Sequence, residues 1–227
     1  MDTKTFKKKL RLSYKKTSLI PGNCPNEITQ YQGMYRIKTL TVLAEAGEFH
    51  LVFYDPTHKV HNTIPGYCWQ SIGKEGTIVM PSNTGRKRIT VLGFINAISL
   101  KFTSFITESN CDKFTVEIAH KELRKAYPDE KEIIVIQDNA PYNHAYAKFD
   151  SIKDLKITPL FLPTYCPNLN LIERIWKFMK NEIMRNVYYS TFNEFYHAII
   201  DFCGNFKKYI NEITSLISQK FQIFKTV

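Results

Sequence analysis

The sequence predicts an α/β fold on a mixed sheet, antiparallel in its first three strands and parallel afterwards, with helices on both faces. Two observations carry this expectation. Residues 49–54 (FHLVFY), rich in aromatic and β-branched side chains, are followed by two further strand-like stretches at 66–72 and 88–105. Residues 132–137 (EIIVIQ) form an almost continuous apolar run suited to a strand buried on both faces, and they open an alternation of strand and helix.

Taken in order, residues 27–47 read as a helix, because Ile28, Tyr31, Tyr35, Leu40 and Leu43 recur at helical intervals and Asn26 can cap it; Gly33 is the feature against. The strand at 49–54 ends at Asp55-Pro56 and so delivers Asp55 at its C-terminal end. Residues 66–72 make a second strand, and 88–105 a hairpin turning at 96–99. Residues 112–127 suit a helix capped by Asp112, with Phe114, Ile118 and Leu123 inward. The strand at 132–137 ends at Asp138. A helix at 142–154, a strand at 157–162, a proline-rich turn and a long helix at about 169–185 follow. In that helix Ile172, Ile175, Trp176, Met179 and Ile183 form an apolar stripe that must face the core. Helices at 191–202 and 212–224 close the chain. The organisation expected is a basic arm and linker (1–26), a principal domain (27–205) and a C-terminal helical tail (206–227).

Charge narrows the partners. The 31 Lys and Arg outweigh 21 Asp and Glu, for a net charge of +10 and an isoelectric point near 9.3, which favours a polyanion. Lys7, Lys8, Lys9, Arg11, Lys15 and Lys16 crowd the start of the chain, as a phosphate-tracking arm or as a solvated terminus. Arg86, Lys87 and Arg88 form a second basic run before a strand, suited to gripping DNA or simply solvated. The five cysteines are scattered, with no metal or redox spacing, and read as reduced thiols. With neither a membrane span nor a secretory signal in the pattern, the expectation is a cytoplasmic, nucleoid-associated protein without a membrane partner.

The chemistry lies in three acids. Asp55 and Asp138 each follow an apolar strand, where side chains enter the crevice that open α/β sheets use for ligands; singly, each equally fits an Asp that opens a turn. Glu173 lies beside the core stripe of its helix, where it could also close a capping box with Asn170 or pair with Lys177. One strand and one turn separate it from Asp138, so its helix can bring it over the same crevice. Three carboxylates there repel one another unless cations are bound, and two hard divalent ions such as Mg²⁺ would serve in-line displacement at phosphorus.

At this point the residues resemble a known group. QDNAPYNHA (137–145) is similar to an Asp-Asn-Ala-x-x-His block, and LPTYCPNLNLIERIWKFMK (162–180) to a Leu-Pro-x-Tyr-Ser-Pro-x-Leu-Asn-x-Ile-Glu-x-x-Trp-x-x-x-Lys block, both of the insertion sequence 630 family in the mariner-type transposase superfamily; 34 residues lie between Asp138 and Glu173, as in that group. The resemblance covers about residues 10–202. It implies a ribonuclease-H-like fold, Mg²⁺ or Mn²⁺ as cofactor, cleavage of double-stranded DNA at transposon ends, and insertion of a freed 3′-hydroxyl at a TA target by a homodimer. It implies Asp55, Asp138 and Glu173 as the catalytic, metal-holding acids. The block around Asp55 matches most loosely, with Pro56 where many relatives have Glu. Cys166 stands for the usual Ser, and Leu171 for a frequent Pro.

Full-length relatives carry a pair of helix-turn-helix modules, so the expectation is the downstream half of a split gene, with the upstream half in another frame, or a truncated copy. Asn139 is expected to orient Asp138, His144 to lie near the site, Asn170 to support Glu173, and Trp176 to anchor the core. His58 and His61 invite a metal reading that two histidines alone do not support. Two rival readings fit the same residues: a cellular ribonuclease-H-like nuclease, and an inactive remnant that binds DNA without cutting it.

Overall fold

In the computed structural model, which describes residues 20–83, 85–218 and 220–225, strands β1 (His50–Val60), β2 (Arg88–Asn96), β3 (Phe102–Thr107), β4 (Ile133–Gln137) and β5 (Ile157–Phe161) form one sheet in the order β3-β2-β1-β4-β5. β1, β2 and β3 pair antiparallel, while β1–β4 and β4–β5 are parallel. The expected mixed sheet is therefore present, but its third antiparallel strand is not residues 66–72. That stretch is irregular, with Tyr67, Trp69 and Ile72 fully exposed; strand-like composition without a neighbouring edge to pair with leaves its backbone to solvent. The second arm of the hairpin supplies the strand instead. Its turn is held by Asn96, whose Oδ1 accepts from Ile98 N (2.9 Å) and Ser99 N (2.8 Å).

β1 runs beyond its expected end, carrying Asp55 in its middle. Its ladder with β4 stops at Phe53↔Ile136, whereas that with β2 continues to Val60↔Arg88. Past Phe53, β1 is an edge on one side, where a proline such as Pro56 is tolerated. The same reasoning accommodates Pro159 on the outer strand β5.

Helices cover both faces. On one lie α1 (Glu27–Glu45), α5 (Ile172–Ile183), α6 (Phe192–Gly204) and α7 (Ile210–Leu216), which bury Ile37, Ile175, Trp176, Phe195, Ile199 and Ile213 against Leu51 and Phe53. On the other, α2 (Lys113–Ala126), α3 (Pro141–Tyr146) and α4 (Ser151–Asp154) bury Val116, Leu123, Tyr146 and Ile152 against Val52 and Tyr54.

Several details differ from expectation. The buried side of α1 is Gln30, Met34, Ile37, Thr41 and Ala44, while Ile28, Tyr31, Tyr35 and Leu43 are exposed. Gly33 explains the rotation: a Cβ there would stand 2.8 Å from Leu169 Cδ1 and 3.1 Å from Pro163 Cγ, so the glycine admits the turn before α5. On α2, Asp112 caps as expected, but Val116, Ala119, His120 and Leu123 face inward and Phe114 and Ile118 outward. The helix expected at 142–154 is two short ones; the break sets Phe149 beside Phe114 and Ser151 within 2.9 Å of Glu117 on α2. The last helix ends at Leu216 because the chain beyond it is captured by polar side chains. Arg174 donates to the carbonyls of Leu216, Ser218 and Lys220, Asn168 to that of Gln222, and Gln30 exchanges two hydrogen bonds with Phe224.

α6 begins with a capping box in which Thr191 Oγ1 accepts from Glu194 N at 3.2 Å. Thr191→Ala is expected to cost about 1 kcal/mol, a fall of roughly 2–4 °C in Tm, measurable by thermal unfolding. Among the described residues no helix is long and apolar enough to cross a membrane, and all five cysteines are free.

Candidate active site

Strand alternation aims both aspartates at the same face. On β1, Leu51 and Phe53 point to the α5 layer, so Asp55 and Lys59 follow them at the period of two; on β4, Ile134 and Ile136 face that layer, and Asp138 comes two residues later. Because β1 outruns β4, the crevice opens between Asp55 and the end of β4. α5 enters over it through Pro167–Leu169, a 3-10 turn, and sets Glu173 in its first turn. Asp55, Asp138 and Glu173 line one pocket of about 310 Å³, together with Asn139, Asn170 and residues 162–167.

Each aspartate is gripped through one oxygen. Asp138 Oδ1 accepts from Asn143 Nδ2 (2.8 Å) and Ala140 N (3.1 Å). Asp55 Oδ2 accepts from Trp176 Nε1 (3.0 Å). The indole reaches that far because Gly93, the β2 partner of Asp55, has no side chain: a Cβ there would lie 2.3 Å from Trp176 Cη2. Lys59 is buried, with Nζ 5.6 Å from the Trp176 ring centroid.

Electrostatics couple the acids. Burial, then Glu173 and Asp138, raise the Asp55 carboxyl well above the ordinary aspartate value. Glu173 is raised by burial and by Asp138, while Lys59 pulls it down. Burial lowers the Lys59 ammonium to about 8, against the opposing pull of Glu173. A carboxyl raised in the folded state holds more protons folded than unfolded. The metal-free chain therefore loses stability as pH rises from near 3.8, the ordinary value, through the raised one. Asp55→Asn is expected to flatten that decline and raise the metal-free Tm at mildly alkaline pH, as thermal unfolding across a pH series would show.

The other expected site residues fall out variously. Asn139 makes no hydrogen bond to Asp138; its Nδ2 donates to Leu162 O (2.5 Å), and the side-chain donor to Asp138 is Asn143 instead. His144 does not line the pocket, but its ring lies 3.2 Å from Oδ1 of Asn139, which does, and stacks on Phe161. Asn170 makes no capping box with Glu173; its Nδ2 donates to Tyr54 O (3.0 Å) and ties the start of α5 to β1. Glu173 has no ion pair with Lys177 among the described residues. Trp176 anchors the core as expected, at 4% exposure, and also holds Asp55. His58 pairs with Thr90 and His61 with Tyr189 O, outside the pocket. Arg86, Lys87 and Arg88 are exposed, and the Val60↔Arg88 pair puts them beyond Asp55 at the same end of the sheet. Lys7, Lys8, Lys9, Arg11, Lys15 and Lys16 lie outside the described residues. Asn143 and Lys59 were missed. Lys59 was legible as a residue four along a strand from Asp55, and Asn143 as an amide in the first turn of the helix after Asp138.

The chain has relatives. A family model described as DDE superfamily endonuclease matches residues 50–196. An insertion element IS630 protein of Shigella sonnei, described as an uncharacterized 39 kDa protein, is 25% identical over 146 residues, 63% of this chain and 42% of the relative; the chain thus spans under half of that relative's length. The Mos1 mariner paired end complex with Mn superposes with a TM-score of 0.65 at 12% identity, over 97% of this chain and 72% of that one. The catalytic domain of Mos1 mariner transposase gives 0.55 at 13%, over 88% and 94%. These superpositions establish the fold, a ribonuclease-H-like mixed sheet.

Proposed function

We propose, on the premise that the chain belongs to the DDE superfamily of endonucleases, that it cuts double-stranded DNA at the ends of an insertion element and joins the freed 3′-hydroxyl to a TA target. The observation that carries this reading is the meeting of Asp55, Asp138 and Glu173 in one pocket, within the residues the family model matches. In it they are the catalytic carboxylates.

Mg²⁺ or Mn²⁺ suits the donor set. The oxygens are hard, they share a pocket, and a cation offsets both the burial and the repulsion from Glu173 and Asp138 that raise Asp55. Among the described residues no three such side chains stand close enough together to hold one ion, so the three acids would hold two ions by drawing closer to one another. When bound, the ions would activate a water or 3′-hydroxyl and stabilise the leaving oxygen. Trp176 and Asn143 orient the two aspartates, and Lys59 offsets part of the charge of Glu173 and Asp55 before the ions arrive. Arg86, Lys87 and Arg88, with the basic residues of the first sixteen, would carry the DNA backbone. The active species is proposed to be a homodimer.

Nicking of supercoiled plasmid tests the reading. Relaxation is expected with Mg²⁺ or Mn²⁺ and none with excess chelator. Plasmid left intact at every concentration of both metals would sink it.

A further inference from the structure

We infer that Trp176 and Asn143 are positioning residues that set divalent-cation affinity by fixing which oxygen of each aspartate faces the pocket. The inference rests on the proposed metal-dependent function and goes beyond it in assigning the cation site's strength to two residues that need not touch the ion.

The geometry is specific. A carboxylate has two equivalent oxygens and rotates freely unless a donor holds one of them. Asp138 Oδ1 is held twice, by the Asn143 amide at 2.8 Å and by Ala140 N at 3.1 Å. Asp55 Oδ2 is held by the Trp176 indole at 3.0 Å. Among the described residues, the other oxygen of each has no hydrogen-bond donor. Both acids line the pocket, so each offers it one free oxygen in a set orientation. The donors are themselves immobile: Asn143 is fully buried, and Trp176 is 4% exposed and packed over Gly93. Neither helix places its donor for packing alone, because an apolar side chain would fill either position. Asn143 Oδ1 has no partner of its own, so the cost of burying that amide is offset chiefly by its bond to Asp138.

Outer hydrogen bonds of this kind change metal affinity or activity by about 10–100-fold when removed. The test is a titration of Mn²⁺ into the full chain without DNA, with free ion read by electron paramagnetic resonance. Trp176→Phe keeps an aromatic ring and deletes the N–H; Asn143→Leu keeps the volume and deletes the amide. Each is expected to weaken Mn²⁺ binding about tenfold or more. Ile199→Val, a core change in α6 away from the pocket, reports what mere loosening does and is expected to leave the affinity unchanged. Thermal unfolding of the metal-free variants confirms that each is folded, and the two donors give independent readings should one fail to fold.

Wild-type affinity in both folded variants would overturn the inference, as would an equal loss in Ile199→Val. A chain that binds Mn²⁺ with the expected pattern yet never nicks plasmid sustains the positioning and overturns the proposed function. A wild-type chain that binds no Mn²⁺ overturns both.

Discussion

Asp138→Asn is expected to lower metal-dependent nicking by roughly a thousandfold while leaving the fold intact. The substitution is nearly isosteric, and the amide oxygen can still accept from Asn143 and Ala140, which hold Oδ1 in the wild type. What disappears is one negative charge in a pocket whose work is to hold cations. Losing several kcal/mol of transition-state charge stabilisation, at about 1.4 kcal/mol per tenfold in rate, gives that factor. Quantified plasmid relaxation at saturating Mn²⁺, with circular dichroism as the control for folding, measures it. Activity within tenfold of wild type would remove Asp138 from the chemistry.

Gly93→Ala has the largest expected effect on stability. The new methyl carbon would stand 2.3 Å and 2.7 Å from two carbons of the Trp176 ring and 3.2 Å from Ile172 Cδ1, between β2, which is paired on both sides, and the buried side of α5. Overpacking on this scale costs about 3 kcal/mol, or roughly 10 °C in Tm for a domain of this size. Activity should fall further than stability explains, because the displaced indole no longer reaches Asp55. Adding Trp176→Leu to Gly93→Ala is expected to recover part of the Tm and none of the nicking. Recovery of both would show that the indole bond to Asp55 is dispensable.

Some of this was legible in the sequence, for identifiable reasons. β4 is buried on both faces, so its apolar run announced itself and located Asp138. α5 has one buried side, so Ile172, Ile175, Trp176 and Met179 marked it and, with it, Glu173. The length of β1 was hidden because Pro56 signals a break, and whether a proline is tolerated depends on whether the neighbouring strand has already stopped. Residues 66–72 read as a strand by composition alone, which says nothing about an available partner. The inward sides of α1 and α2 were misjudged because tyrosine and phenylalanine were counted as core, whereas Gly33 and His120 occupy the close approaches. The bond from Trp176 to Asp55 spans 121 positions, and no local pattern encodes it.

Arg174, next to Glu173 in sequence, spends its guanidinium on three carbonyls near the C-terminus. The last stretch of chain is thereby buckled to the helix that presents the third acid. Proteolytic cleavage or a stop codon after residue 216 would strip a half-buried cation of two of its three acceptors, the carbonyls of Ser218 and Lys220, at the foot of that helix. Damage beyond residue 216 would then register as misalignment at the pocket, with every acidic side chain still in place.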